Sequence, residues 1–326
     1  MKLKPINADT KEDQRMTSWE LIIVGAGPAG LAAGIYSGRS RVQTLVLEAE
    51  MAGGTTADAP RIENYPGIQN ITGQELAKKM TKHCRSVDIE IHELERAVDL
   101  ELKGSRKTVK TSKATYTADA VILACGTRYK KLGISGEREF YGKGVSYCGI
   151  CDGPLFKDKR VLVVGGGDSA VMTALYVADL ASEVKMLHRK KAFRAQECLV
   201  DELKKRKNVE ILWNTELKKI KGLKTVNSVE LFNNKIGKHE EMEVDGVFIQ
   251  VGEVPNSKSA KTAGVELDEE GYIVVDMRQR TNLEGVFAAG DITNHTVKQV
   301  GTAVGQGITA ALEAYGYIRR PYYYRR

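Results

Sequence analysis

Leu21-Ile22-Ile23-Val24-Gly25-Ala26-Gly27-Pro28-Ala29-Gly30 decides the fold class. Four apolar residues in a row, bounded by glycine, read as a short strand buried on both faces. The glycines follow a G-x-G-x-x-G spacing, and a helix-like stretch runs from Leu31 to about Gly38. A second apolar run, Thr44-Leu45-Val46-Leu47, ends at Glu48. Strand, glycine turn, helix, strand and acid make half of a doubly wound α/β nucleotide-binding domain. Each glycine has a physical reason. Gly25 permits a tight turn, Gly27 lets a pyrophosphate approach the backbone, and Gly30 lets the helix pack closely on the strand. The helix start at Pro28 and Ala29 then faces the pyrophosphate, with N–H groups from Ala29 onward since proline has none.

The same pattern returns later. Val161-Leu162-Val163-Val164 reads as a strand, and Gly165-Gly166-Gly167-Asp168-Ser169-Ala170 as its turn. A helix is expected through Leu180, then a strand over Val184-Lys185-Met186-Leu187 that ends at His188. Gly30 to Glu48 is 18 positions, and Ala170 to His188 is also 18. One glycine motif is a weak signal, but each copy sits in the strand–turn–helix context the chemistry requires. The ends differ. Glu48 accepts hydrogen bonds from ribose hydroxyls, so the first site suits an unphosphorylated adenosine ribose. The second copy carries His188, Arg189, Lys190 and Lys191, with Arg194 beyond. Cationic groups attract a 2′-phosphate that a carboxylate would repel, so the second site is expected to prefer NADP over NAD.

Between the two copies lies Tyr147-Cys148-Gly149-Ile150-Cys151-Asp152-Gly153. Two cysteines three apart can close a small ring and open it by thiolate exchange. A structural zinc site would need four ligands, and the chain offers neither a second cysteine pair nor a histidine pair at ligand spacing. Redox chemistry is therefore the expectation, with no metal. Asp152, beside the second thiol, is a candidate proton donor or acceptor, or else a turn or helix-cap residue. Cys84, Cys125 and Cys198 have no partner at useful spacing, and Cys125 reads as a buried core thiol.

Composition sets the remaining bounds. The chain has 326 residues, enough for two domains. No apolar run approaches the length of a membrane span, and residues 1–16 read as a flexible, charged extension without a signal-like core. The cytoplasm is the expected compartment, where a close cysteine pair is more often catalytic or metal-binding than structural. A net charge of +7 reads chiefly as a lysine-rich surface. Nucleic-acid binding is not expected, since no basic helix or aromatic RNA motif occurs, and the basic, tyrosine-rich tail from Arg319 to Arg326 is too short to be a module.

Taken together, these motifs resemble the low-molecular-weight thioredoxin reductases, a branch of the pyridine nucleotide–disulfide oxidoreductases. The resemblance runs from about Trp19 to Tyr317. Gly25 to Gly30 with Glu48 is similar to the family's FAD fingerprint. Gly53-Gly54-Thr55-Thr56 and Glu63-Asn64-Tyr65-Pro66-Gly67 are similar to its flavin-ring segment. Ala124-Cys125-Gly126-Thr127 stands where the family has Ala-Thr-Gly, and Lys190 replaces a more usual Arg, keeping the charge but losing the fork. Gly285-Val286-Phe287-Ala288-Ala289-Gly290-Asp291 and Lys298-Gln299-Val300 resemble the second FAD segment.

The resemblance implies two Rossmann-like three-layer α/β domains. A discontinuous FAD domain would span 17–129 and 254–326, with an NADPH domain, 130–253, inserted and carrying the cysteine pair. It implies that Asp291 meets the ribityl chain and that Gln299 and Val300 meet the flavin ring. It places Cys151 nearer the flavin and gives Cys148 the attack on the substrate disulfide. A homodimer, a rotation of one domain against the other, and thioredoxin or a glutaredoxin-like small dithiol protein as partner are implied by the same analogy. Two rivals stay open. One is a thiol flavoenzyme with another donor, such as a reduced deazaflavin or ferredoxin, though such relatives tend to lack the basic cluster at 188–194. The other is a non-enzymatic flavin redox sensor.

Overall fold

The computed structural model describes residues 17–59 and 62–319. The expected N-terminal extension and nearly all of the basic tail lie outside the described residues. The chain divides into two compact units. The first gathers the described parts of 1–58, 73–126 and 255–326, and the second those of 59–72 and 127–254. The resemblance puts the crossings at 129/130 and 253/254; the units change over at 126/127 and 254/255, and segment 59–72 groups with the second unit.

In the first unit, strand Thr17–Val24 lies between Thr44–Leu47 and Thr115–Leu123, parallel to both. Glu90–His92 extends the sheet in parallel beyond Thr44–Leu47, and Val286–Ala288 pairs in parallel with Thr115–Leu123. Two antiparallel strands, Lys107–Thr111 and Ala97–Glu101, complete it. Leu21, Ile22 and Ile23 are all fully buried, without alternation, because both faces of the sheet are covered. Helix Pro28–Arg39 and the long helix Val300–Arg319 contribute to the core on one face, with Leu21, Ile23, Ala33 and Ala310. Ile22, Leu45, Val109 and Ala260 fill the other. The two helices meet through small residues: a Cβ on Gly307 would lie 2.1 Å from the Ala29 carbonyl oxygen.

The second unit has a five-stranded parallel sheet. Its spatial order is Val209–Trp213, Glu183–His188, Arg160–Gly165, Gly246–Gln250, Val145–Ser146. Helix Asp168–Ala178 covers one face through Ala170, Val171, Ala174 and Val177, packed with Phe248. A three-stranded antiparallel sheet, Thr215–Gly222, Val226–Asn233 and Lys238–Glu243, covers the other through Leu217, Val229 and Leu231. The helix expected through Leu180 ends at Ala178. The Asp179 and Leu180 amides turn back to the Tyr176 and Val177 carbonyls, a tightening typical of a helix end. Both units are thus Rossmann-like α/β folds.

Candidate active site

The first glycine turn leaves the carboxyl end of strand Thr17–Val24, where Val24 is level with Leu47 and Leu123. Gly25 has φ +110, and a Cβ there would lie 2.3 Å from the Ala124 carbonyl oxygen. At Gly30 a Cβ would lie 1.8 Å from the Gly25 oxygen. Gly27 is different. The nearest atom to a Cβ there is Gly54 Cα at 3.9 Å, so its face is open. The Ala26 N–H donates to Glu48 Oε2 (2.7 Å) and the Glu50 N–H to Glu48 Oε1 (3.0 Å). Each carboxylate oxygen keeps a further lone pair for a ribose hydroxyl. This edge fits a dinucleotide with an unphosphorylated ribose.

The other first-unit candidates converge on the same edge. Gly53 donates its N–H to the Ala26 carbonyl (2.8 Å), which sets Gly54 over Gly27; Thr55 is exposed beside it. Gly126 follows Cys125 past the end of Thr115–Leu123, and its carbonyl accepts from the Asn256 N–H (3.0 Å). Gly290 is pinned by its N–H to Gln306 Oε1 (2.7 Å), and a Cβ there would touch the Ala29 Cβ at 2.9 Å. That fixes Asp291, whose carbonyl accepts from Lys298 Nζ (2.9 Å). Gln299 and Val300 open the long C-terminal helix, with the Gln299 N–H donating to Thr302 Oγ1 (3.1 Å). Asn64 lies on segment 59–72, in the second unit.

The second glycine turn leaves Arg160–Gly165. A Cβ on Gly165 would lie 2.3 Å from the Gln250 carbonyl oxygen and 2.6 Å from the Ala170 Cβ. Gly167 has nothing within 4 Å of such a Cβ, so it offers the open face a pyrophosphate needs. Asp168 begins the helix, and both its oxygens are held by Gln196, from the backbone N–H (2.8 Å) and the side-chain amide (3.0 Å). Those bonds hold its carboxyl below the usual range. Ser169 is exposed and Ala170 buried.

The Arg194 N–H donates to the Gly166 carbonyl (2.7 Å), closing loop 189–196 over the turn. Asn234 Nδ2 holds the Arg189 carbonyl (2.9 Å) and the Asn214 N–H the Lys190 carbonyl (3.3 Å), while the side chains of Arg189, Lys190 and Arg194 are exposed. His188 departs from its neighbours. Its ring lies over Gly166, against Phe193 and Trp213, and its Nε2 is buried without a partner. Burial pushes its pKa down, so it is neutral at pH 7 and adds no charge to the cluster.

The redox segment comes off the edge strand Val145–Ser146 of that same sheet. Cys148 and Cys151 are joined in a disulfide, with Cα atoms 5.3 Å apart, at the start of the short helix Gly149–Asp152. Cys151 is exposed and Cys148 half-buried. The helix leans on Asp168–Ala178 through its glycines. A Cβ on Gly149 would lie 2.5 Å from Thr173 Cγ2, and one on Gly153 would lie 2.8 Å from the Tyr176 ring. Ser146 Oγ accepts from the Cys148 N–H (3.0 Å) and lies against both the Cys148 carbonyl (3.2 Å) and the Asp152 carboxyl. Burial pushes the Asp152 carboxyl above the usual range, and Ser146 draws it partly back. A carboxyl raised in this way keeps its proton to a higher pH than an exposed aspartate does.

Comparison with known proteins places these features in a family. The model of the pyridine nucleotide-disulphide oxidoreductases matches residues 19–307. The chain belongs to this family. Within it, the thioredoxin reductase of Bacillus subtilis (strain 168) is 41% identical over 303 residues, covering 92% of this chain and 95% of that one. The crystal structure of thioredoxin reductase from Streptococcus pyogenes MGAS5005 gives a TM-score of 0.90 at 37% identity, covering 94% and 99%. A ferredoxin-flavin thioredoxin reductase from Clostridium acetobutylicum gives 0.51 at 32% identity, covering 94% and 100%.

Two residues of this pyridine nucleotide-disulphide oxidoreductase escaped sequence reasoning. Ser146 carries no signal beyond standing two places before a cysteine. Gln250, at the end of Gly246–Gln250, donates its side-chain N–H to the Tyr147 carbonyl (2.7 Å) and so steadies the redox segment from a neighbouring strand. Tyr147 is also anchored by its hydroxyl to Glu137 (2.8 Å) and stacks on Tyr129. Cys125, where the family carries Thr, keeps some exposure as a residue. Its thiol donates to the Val24 carbonyl (3.3 Å), and burial pushes it up to about 12, so it is not a competing nucleophile.

Proposed function

We propose that this chain moves electrons from NADPH, through FAD and the Cys148–Cys151 disulfide, to thioredoxin or a similar small dithiol protein. One observation carries the reading: the disulfide and the second glycine turn leave the carboxyl edge of one parallel sheet, braced by one helix. The family's enzymes use FAD and NADPH, and the open faces at Gly27 and Gly167 are where their pyrophosphates would lie. The first unit then holds FAD, with Glu48 on the adenosine ribose and Gly53, Gly54, Thr55, Gly126, Asp291, Gln299 and Val300 around the rest. The second unit binds NADPH, with Arg189, Lys190 and Arg194 reading the 2′-phosphate.

When bound, FAD would supply the two-electron chemistry that links the nicotinamide to the disulfide. The chain's own residues do the remainder. Cys148 attacks the partner's disulfide, Cys151 resolves the mixed disulfide, and Asp152 donates the proton that a departing thiolate needs. The enzyme works in the cytoplasm as a homodimer; no helix among the described residues is long and apolar enough to cross a membrane.

The test is anaerobic stopped-flow reduction of the purified protein by NADPH, NADH and a reduced deazaflavin in turn. NADPH is expected to bleach the flavin band fastest. Reduction by the deazaflavin alone would refute NADPH as donor and favour the rival reading of a thiol flavoenzyme with another donor.

A further inference from the structure

The second unit contains a cleft of about 380 Å³ that reaches the acid without reaching the sulfurs. Ser146, Asp152 and Thr225 line it, together with the charged groups Lys143, Lys159 and Asp245; neither cysteine does. Asp245 is committed elsewhere. Its Oδ2 accepts from the Arg160 N–H (2.9 Å), and its Oδ1 from the guanidinium (3.2 Å). Asp152 is therefore the carboxyl in this cleft that is free to trade protons. Ser146, touching both Asp152 and the Cys148 backbone, marks the inner end of the cleft beside the redox helix.

Proton balance gives the cleft a task. Reducing one disulfide with NADPH yields a dithiol and NADP⁺ and consumes one proton from water. If Asp152 supplies that proton, its carboxylate must be recharged before the next turnover. We propose that Asp152 is recharged from bulk solvent through this cleft, by a path that the exposed Cys151 and its disulfide partner do not share. A protein docked on the disulfide would then leave the proton supply open. The inference rests on the reductase reading above.

Thr225 is exposed on the turn before strand Val226–Asn233, so a larger side chain there obstructs the cleft without entering the core. The experiment is NADPH reduction of the holoenzyme in weakly buffered solution. Proton uptake is followed with phenol red, and dithiol formation by the return of flavin absorbance after one equivalent of NADPH, because hydride transfer to the flavin itself consumes no proton. In the wild type the two traces should run together. In Thr225→Trp uptake should lag by about tenfold, well inside the hundredfold or more that a positioned acid supplies, with Thr225→Phe intermediate and Thr225→Ser like wild type. In an Asp152→Asn background Thr225→Trp should add nothing, because the path then ends on a group that carries no exchangeable acid.

Uptake as fast in Thr225→Trp as in the wild type, with an intact flavin spectrum, would overturn the path while leaving the reductase reading standing. So would an equal slowing by Thr225→Trp with and without Asp152. A wild type whose flavin NADPH does not reduce would overturn the reductase reading, and one whose dithiol forms without proton uptake would overturn the path alone.

Discussion

Replacing Arg189 and Lys190 together with Gln should remove most of the preference for NADPH over NADH, leaving what Arg194 supplies. The backbone carbonyls of both residues are held, by Asn234 Nδ2 at 2.9 Å and by the Asn214 N–H at 3.3 Å, so the loop needs little reorganisation to receive a phosphate. The side chains are exposed, which trims their worth. A hydrogen bond to a charged group is worth about 1.5–3 kcal/mol in general, while exposed ion pairs fall to about 1 kcal/mol or less. Two partly solvated contacts to a dianionic group then give about 2–3 kcal/mol, or about 30- to 150-fold in affinity. Neutral His188 adds nothing to that sum. The whole loss should appear as a raised KM for NADPH, with kcat at saturation and all NADH parameters unchanged, because the 2′-phosphate is remote from the chemistry. About 1 M salt should shrink the wild-type preference toward that of the variant, since screening shortens the Debye length to about 3 Å. The assay is kcat/KM for both nucleotides, with thioredoxin or a small aromatic disulfide as acceptor. Equal losses with NADPH and NADH would mean that the loop had been distorted. An unchanged NADPH KM would remove this cluster from the phosphate site.

Three other outcomes test the proposed function and the packing behind it. Cys148→Ser and Cys151→Ser should each abolish disulfide reductase turnover, with Cys148→Ser keeping a charge-transfer band between Cys151 and the oxidised flavin; appreciable turnover by Cys148→Ser would reverse the assignment. Gly149→Ala should lower stability by about 1–3 kcal/mol by driving a methyl into Thr173, and Thr173→Ala in the same chain should restore much of the loss, as read by thermal melts and activity. Asp152→Asn should cut turnover by about a hundredfold or more yet raise the melting temperature at neutral pH. The folded pKa lies above the unfolded value of 3.8, so the carboxyl's stabilising contribution is full below that value and is lost as pH rises through the folded pKa. The two melts should therefore coincide below pH 3.8 and separate above it; a wild type more stable than the variant at pH 8 would contradict the burial.

The glycine turns were legible because their physics is local. Each short apolar run, tight turn and following helix is written in about thirty consecutive residues, the span of a βαβ unit. Gly27 and Gly167 read as the positions of closest backbone approach, and a Cβ at either would meet no atom nearer than 3.9 Å. What stayed hidden depends on residues far apart in sequence. His188 reads as a cation beside Arg189, but the bare backbone of Gly166 leaves room for its ring, and Phe193 and Trp213 enclose it. Ser146 and Gln250 act through single hydrogen bonds to the redox segment, and no spacing rule marks such bonds. The grouping of 59–72 with the second unit likewise turns on contacts that Glu63-Asn64-Tyr65 does not announce.

The bracing of the redox helix also limits how this protein can be recombined. Gly149 and Gly153 are small because Thr173 and Tyr176 occupy the space in front of them, and those two residues sit on the helix that begins at the second glycine turn. A chimera that imports only the cysteine loop from a relative would inherit glycines, or their replacements, fitted to another helix. An exchange that keeps these contacts together runs from the edge strand at Val145 through Ala178, carrying the cysteines, Asp152 and the second glycine turn as one block.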